Sequence, residues 1–169
     1  MDTIVDAIVW ILPAYLANGT PVLTVYLVRR TGHRPHPIDR GAFFIDGKRL
    51  LGDNKSVEGF IGGVVAGATG GALLQMFGLH EIFSALLLSV GALLGDITGA
   101  FIKRRLGLKP GDPAPLLDQL DFVIGATLVY YLYRPAPLEY VVVALAITPL
   151  VHLATNAVAY TLKLKDKPW

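Results

Sequence analysis

Apolar residues fall into five blocks along the chain, at 3–28, 57–79, 82–102, 116–132 and 138–162, and polar residues gather in the segments between them. A helix needs roughly 20 mostly apolar residues to cross a hydrocarbon core. The block at 116–132 is short and must draw on its flanks; the other four reach that length. The pattern predicts an all-α integral membrane protein with five transmembrane helices, forming a single domain over 1–169. The first block has no basic residue ahead of its apolar run and is too long for a secretory signal, so it is expected to stay in the mature protein.

Composition agrees, with 53% of the 169 residues hydrophobic and only 17% charged. The lack of cysteine excludes disulfides, thiolate metal sites and cysteine nucleophiles. A net charge of +2 does not point to nucleic acid as a partner. The placement of the charges says more than their sum. Of 15 Lys and Arg, 14 lie in segment 29–56, in segment 103–115 or in the C-terminal tail, and five spans put all three on one side. Arg134 is the exception. Basic loops stay cytoplasmic, so the N-terminus is expected outside, the C-terminus inside, and 29–56 and 103–115 as cytoplasmic loops of a multi-pass cell-membrane protein.

Segment 29–56 carries Pro35, Pro37, Gly41, Gly47 and Gly52 and reads as turns with a short hairpin. Gly59, Gly63, Gly67 and Gly71 recur every four residues in the second helix, as do Gly91, Gly95 and Gly99 in the third. Small residues in a stripe let helix backbones approach closely in lipid. Packing within the chain is the favoured use and a homodimer interface the second. Pro13 and Pro21 are expected to kink the first helix, and Tyr130, Tyr131 and Tyr133 read as an interfacial belt at the outer end of the fourth.

The candidate chemistry lies at the cytoplasmic end. Asp96 sits inside the third helix, about 10 Å below Lys103 on the same face, and an intramembrane carboxylate marks a functional site unless it is only an ion-pair partner. Asp118 and Asp121 share a face at the start of the fourth helix, where the dipole favours negative charge. Asp112 precedes them. Carboxylates beside Lys103 and Arg104 suit a hard cation such as magnesium bridging to phosphates, with Asp96, Asp118 and Asp121 as ligands. Lys55, Ser56 and Glu58, in a glycine-flanked turn opening the second helix, are placed to meet phosphate. The turn is not a Walker A loop, because Asn54 stands where that motif has glycine.

Gly95-Asp96-Ile97-Thr98, then Lys103-Arg104, then Asp118-Gln119-Leu120-Asp121 resembles the C-terminal signature of CTP-dependent lipid cytidylyltransferases, the CDP-diacylglycerol synthase superfamily. Lys55-Ser56-Val57-Glu58-Gly59 is similar to an upstream element of those enzymes. Pro113-Ala114-Pro115 stands where bacterial members carry His-Gly-Gly, and the chain is shorter than theirs. Both departures, with Leu12-Pro13-Ala14-Tyr15, Pro37-Ile38-Asp39, Asp46-Gly47-Lys48-Arg49 and Gly52-Asp53-Asn54-Lys55, resemble the archaeal branch, the CDP-archaeol synthases. The resemblance implies transfer of CMP from CTP to an unsaturated ether-lipid phosphate, with release of pyrophosphate. It further implies Asp96, Lys103, Asp118 and Asp121 as catalytic, and Lys55, Ser56, Glu58, Lys103, Arg104 and Asp112 toward CTP. Asp39 and Asp53 are lesser candidates.

The remaining polar residues divide in two. Asn18, His152 and Asn156 lie at similar depth and suit interhelical hydrogen bonds or, second, the lipid headgroup. His33, His36 and His80 are expected at solvated surface. The same reaction on phosphatidate and a CTP-dependent prenol kinase are the nearest alternatives. A cation-coupled transporter relaying through Asp96 is the alternative of another class, and it would require acidic groups toward both faces.

Overall fold

The computed structural model describes residues 2–164, so Lys165 and Lys167 of the basic tail lie outside the described residues. Five helices follow one another: α1 (Thr3–Arg30), α2 (Val57–Met76), α3 (Ile82–Arg105), α4 (Leu117–Tyr131) and α5 (Leu138–Thr161). α1, α2, α3 and α5 are long and apolar enough to cross a membrane. α4 has 15 residues and rises only about 22 Å at 1.5 Å per residue. α3 runs past the apolar block to Arg105, because Lys103, Arg104 and Arg105 in its last turn complement the carbonyl end of the helix. α2 stops earlier than the apolar pattern suggests: Gly78, at φ 68°, turns the chain away.

Glycine sets the helix seams. The α2 stripe lies in the groove between α1 and α3: a Cβ on Gly63 would meet the Ala17 carbonyl oxygen and the Leu93 methyls, and one on Gly67 would meet Pro13 O and Ser89. α1 runs unbroken through Pro13 and Pro21. Pro21 has no N–H to offer the Ala17 carbonyl, and that oxygen is the one lying against Gly63. The α3 stripe faces α4, where Gly91 and Gly95 abut the backbone of Gly125, Ala126 and Asp121. The stripes therefore serve packing within the chain.

Contacts sort the helix ends into two groups. Lys55 ahead of α2 reaches Asp96 of α3, and Lys103 reaches Asp118 of α4, so these ends meet. At the opposite end Arg134 pairs with Glu81 at 3.2 Å and donates to Ser84 Oγ at 3.0 Å, while the Tyr133 hydroxyl donates to Glu81 at 3.0 Å. The ends of α4 thus meet the two ends of α3. Between them lies an apolar core of Trp10, Ile11, Leu88, Phe122, Val123 and Tyr130 with neighbouring alanines. Two sequence expectations change here. Tyr130 is buried, edge-on to Trp10 with centroids 5.5 Å apart, and not part of an interfacial belt; its hydroxyl accepts from Arg134 Nε. His80 is half-buried, within 3.1 Å of the Trp10 carbonyl oxygen, because the turn after α2 folds it back over α1.

Candidate functional site

The segment joining α1 and α2 is organised around Asp39. Its carboxylate has no exposed surface and accepts from Arg49 Nη2 at 2.9 Å and from the backbone N–H groups of Gly41, Leu51 and Gly52 at 3.0 Å. Burial opposes its charge, but the Arg49 guanidinium and those three N–H groups hold it well below the usual carboxylate range. Asp39 is therefore a structural knot, with no surface left for a ligand. Arg49 also holds Asp53 at 2.8 Å. Arg105 donates to Arg49 O at 2.6 Å and pairs with Asp46 at 3.1 Å, tying this segment to the end of α3. The hairpin is reduced to two isolated antiparallel bridges, Pro37 to Ser56 and Phe43 to Arg49.

α2 begins where this segment ends. Ser56 is its N-cap: the hydroxyl accepts from Gly59 N–H at 3.1 Å, satisfying one of the free donors of the first turn. Glu58, expected toward phosphate, instead accepts from the backbone N–H of His36 at 2.9 Å and lies 2.5 Å from its Nδ1. His36 is at the solvated surface as expected, its side chain 82% exposed, while it pairs with Glu58. Cap and pair fix the position of Lys55, whose Nζ lies 2.5 Å from Asp96 Oδ2.

The charged groups interlock across helices. Asp96 and Lys103 do not pair with each other along α3; Asp96 takes Lys55 and Lys103 takes Asp118, the latter also at 2.5 Å. Asp118 uses its second oxygen to accept from Ala114 N–H at 2.8 Å, bracing the turn at which Leu116, at φ 66°, swings into α4. Asp121 is buried in the α3–α4 seam over Gly99, and its Oδ1 faces the Phe122 N–H. Among the described residues no three His, Asp or Glu side chains converge as a metal cluster. Of the three expected ligands, Asp96 and Asp118 each hold a lysine and Asp121 sits behind them in the seam. Asp112 accepts from Lys109 N–H at 2.7 Å and closes its own turn.

Arg104 differs from these paired groups. Its side chain is 5% exposed, and it spends Nη2 on Lys109 O at 3.1 Å while Nε and Nη1 have no partner. Arg104, Lys55, Lys103, Asp96 and Asp118 line one cavity of about 620 Å³. A buried guanidinium with two unused donors in a cavity wall is a ready anion site. The cavity continues between α1 and α5, past Val22, Leu23 and Ala159.

Comparison with known proteins bears on this arrangement. A family model described as CarS-like, CDP-archaeol synthase, matches residues 1–169. The chain belongs to the CDP-archaeol synthase family. It is 54% identical over 164 residues to the CDP-archaeol synthase of Thermofilum pendens, covering 96% of this chain and 80% of that one. Identity to that of Pyrobaculum arsenaticum is 49%, with 96% of each covered. A solved structure of an intramembrane enzyme for archaeal membrane lipids biosynthesis superposes with a TM-score of 0.78 at 42% identity, over 90% of this chain and 94% of that one. The chain is thus a membrane-embedded enzyme, a CTP-dependent lipid nucleotidyltransferase.

In this family member the second group of candidates falls on the same cavity. Asn18, His152 and Asn156 line its α1–α5 side, far from the carboxylates in sequence. Asn156 Nδ2 lies 3.2 Å from the His152 ring. Tyr26 and Arg29 are among the lining residues that the sequence did not single out. Arg29 was counted only as a topology charge. Its place beside a second arginine at the end of an apolar block gave no sign that it faces a cavity.

Proposed function

We propose that this enzyme transfers CMP from CTP to the phosphate of digeranylgeranylglyceryl phosphate, an unsaturated isoprenoid ether lipid, and releases pyrophosphate. The observation that carries the reading is Arg104: two buried, unpaired donors sit in the wall of a cavity that also holds Lys55 and Lys103 and continues to an apolar flank between α1 and α5. Phosphates suit the charged end, and an isoprenoid lipid suits the flank. The lipid phosphate oxygen is already a nucleophile. It attacks the α-phosphorus of CTP while the bond to the β-phosphate bridging oxygen breaks, so the chain must position reactants and offset charge, with no protein nucleophile required. Lys55, Lys103 and Arg104 do this.

The cofactor proposed is magnesium, and the donors fit it: Asp96 and Asp118 are hard oxygen ligands on the cavity wall, each already receiving a cation from a lysine ammonium. They would hold the ion with Asp121 supporting from behind, and bound magnesium would neutralise phosphate charge and polarise the α-phosphoryl group. The flexible lysine stems let each ammonium leave its carboxylate for a phosphate oxygen. Incubation of the purified protein with radiolabelled CTP, magnesium and either lipid is expected to give labelled CDP-lipid and pyrophosphate, with the ether lipid preferred over phosphatidate. Equal or better use of phosphatidate would move the assignment to the broader superfamily.

The proposed topology is five spans with the N-terminus outside and the active site on the cytoplasmic face of the cell membrane. The basic residues 29–55 and 103–109 support it, as does the neutralisation of Arg134 by Glu81 at the other end. A cysteine introduced at Asp2 should label with an impermeant maleimide from outside, and one at Lys163 only from inside. Labelling of both from one side would sink the five-span count.

A further inference from the structure

A CTP-dependent enzyme must tell cytosine from uracil, and the phosphate groups above do not provide that choice. The bases differ at position 4, where cytosine has an amino donor and uracil a carbonyl acceptor. The site needs an acceptor away from the triphosphate. Four aspartates line the main cavity. Asp96 and Asp118 lie among the lysines, and Asp112 is turned back onto Lys109 N–H. Asp53 remains, with its side chain 75% exposed.

Asp53 also lines a second, open groove of about 680 Å³, formed with His36, Pro37, Arg40, Gly41 and Val57. Asp53 therefore borders both spaces. It is held in place from below: Asp39 is buried and fixes Arg49, and Arg49 fixes Asp53 Oδ1 at 2.8 Å. Arg40 stands at φ 47° in the same groove, a left-handed conformation uncommon for a residue with a side chain. A carboxylate at this position would repel phosphate but accept hydrogen bonds from an amino group. His36, held by Glu58, brings an imidazole to the groove lining, a ring type on which a heteroaromatic base can stack, and Pro37 adds apolar surface beside it.

We propose that the groove receives the nucleoside of CTP and that Asp53 accepts from the cytosine 4-amino group, with Arg49 and Asp39 as positioning residues. This rests on the CTP-transfer reading. With the triphosphate on Arg104, Lys55 and Lys103, and the lipid on the α1–α5 side, the groove at Asp53 is the direction left for the base.

The test compares kcat/KM for CTP, UTP and dCTP in the unaltered protein, Asp53→Asn and Asp53→Ala, with melting curves for each. Asparagine presents a donor to the uracil 4-carbonyl, so Asp53→Asn is expected to lower the CTP-to-UTP ratio by about ten- to a hundredfold, the range for losing one good base contact and gaining its opposite. Asp53→Ala should lower CTP turnover without raising that of UTP. The CTP-to-dCTP ratio should hold in both. An unchanged CTP-to-UTP ratio with active protein overturns the assignment of Asp53 alone. A change confined to dCTP overturns it in favour of ribose contact. No CTP turnover by the unaltered protein overturns the functional reading and this one with it.

Discussion

Asp96→Asn and Asp118→Asn are each expected to reduce nucleotidyl transfer by on the order of a hundred- to a thousandfold, the scale of removing one preorganised electrostatic contact from a closed site. Asparagine keeps the shape of the side chain and removes the charge. Each carboxylate holds a lysine at 2.5 Å on the wall of the cavity that also contains Arg104. Losing the charge would remove a proposed ligand for magnesium and leaves the lysine without the partner that sets its resting place. Asp112→Asn should cost much less, because that carboxylate closes its own turn. Asp121→Asn should act more on melting temperature than on rate, since the group is packed against Gly99 and off the cavity wall. The readout is magnesium-dependent pyrophosphate release at saturating lipid. Near-native rates for both wall variants would end the case for a metal site here.

The second large effect concerns stability. A Cβ on Gly125 would stand 2.5 Å from the Gly91 carbonyl oxygen and 2.5 Å from Gly95 Cα, both backbone atoms that no rotamer change can move aside. Gly125→Val should therefore destabilise at or beyond the upper end of the roughly 1–3 kcal/mol typical of over-packing. A large drop in melting temperature in detergent is expected. Gly19→Ala is the control, since a Cβ there meets nothing within 4 Å. Equal melting of the two variants would mean that α3 and α4 pack less closely than described.

Several of these contacts were legible in advance and others were not. Four-residue glycine spacing found both close seams, because in lipid only small residues permit that approach. Apolar length found the helices, and it left α4 short. The ion pairs were not legible: seven-residue spacing puts Asp96 and Lys103 on one helix face, yet pairing is decided by which ends meet across the bundle, bringing Lys55 from 41 positions away. Helix-face reasoning placed Asp121 with Asp118, whereas close packing over Gly99 buries it behind the wall. Asp39 looked like a free acidic candidate. Only the fold of segment 29–56 turns three backbone N–H groups onto it.

The core between the two ends has a consequence for the lipid's route. Trp10, Leu88, Phe122 and Tyr130 fill the bundle beneath the charged cavity, and beyond them Arg134 and Glu81 close on each other. Among the described residues neither that core nor the Arg134–Glu81 pair lines the cavity, which therefore lies toward one end of the bundle, unlike the two-sided access a transporter requires. If the proposed transfer takes place in this cavity, the leaflet that delivers the lipid phosphate is the leaflet that receives the activated product. Under the proposed reaction, sidedness would be inherited through this enzyme unchanged.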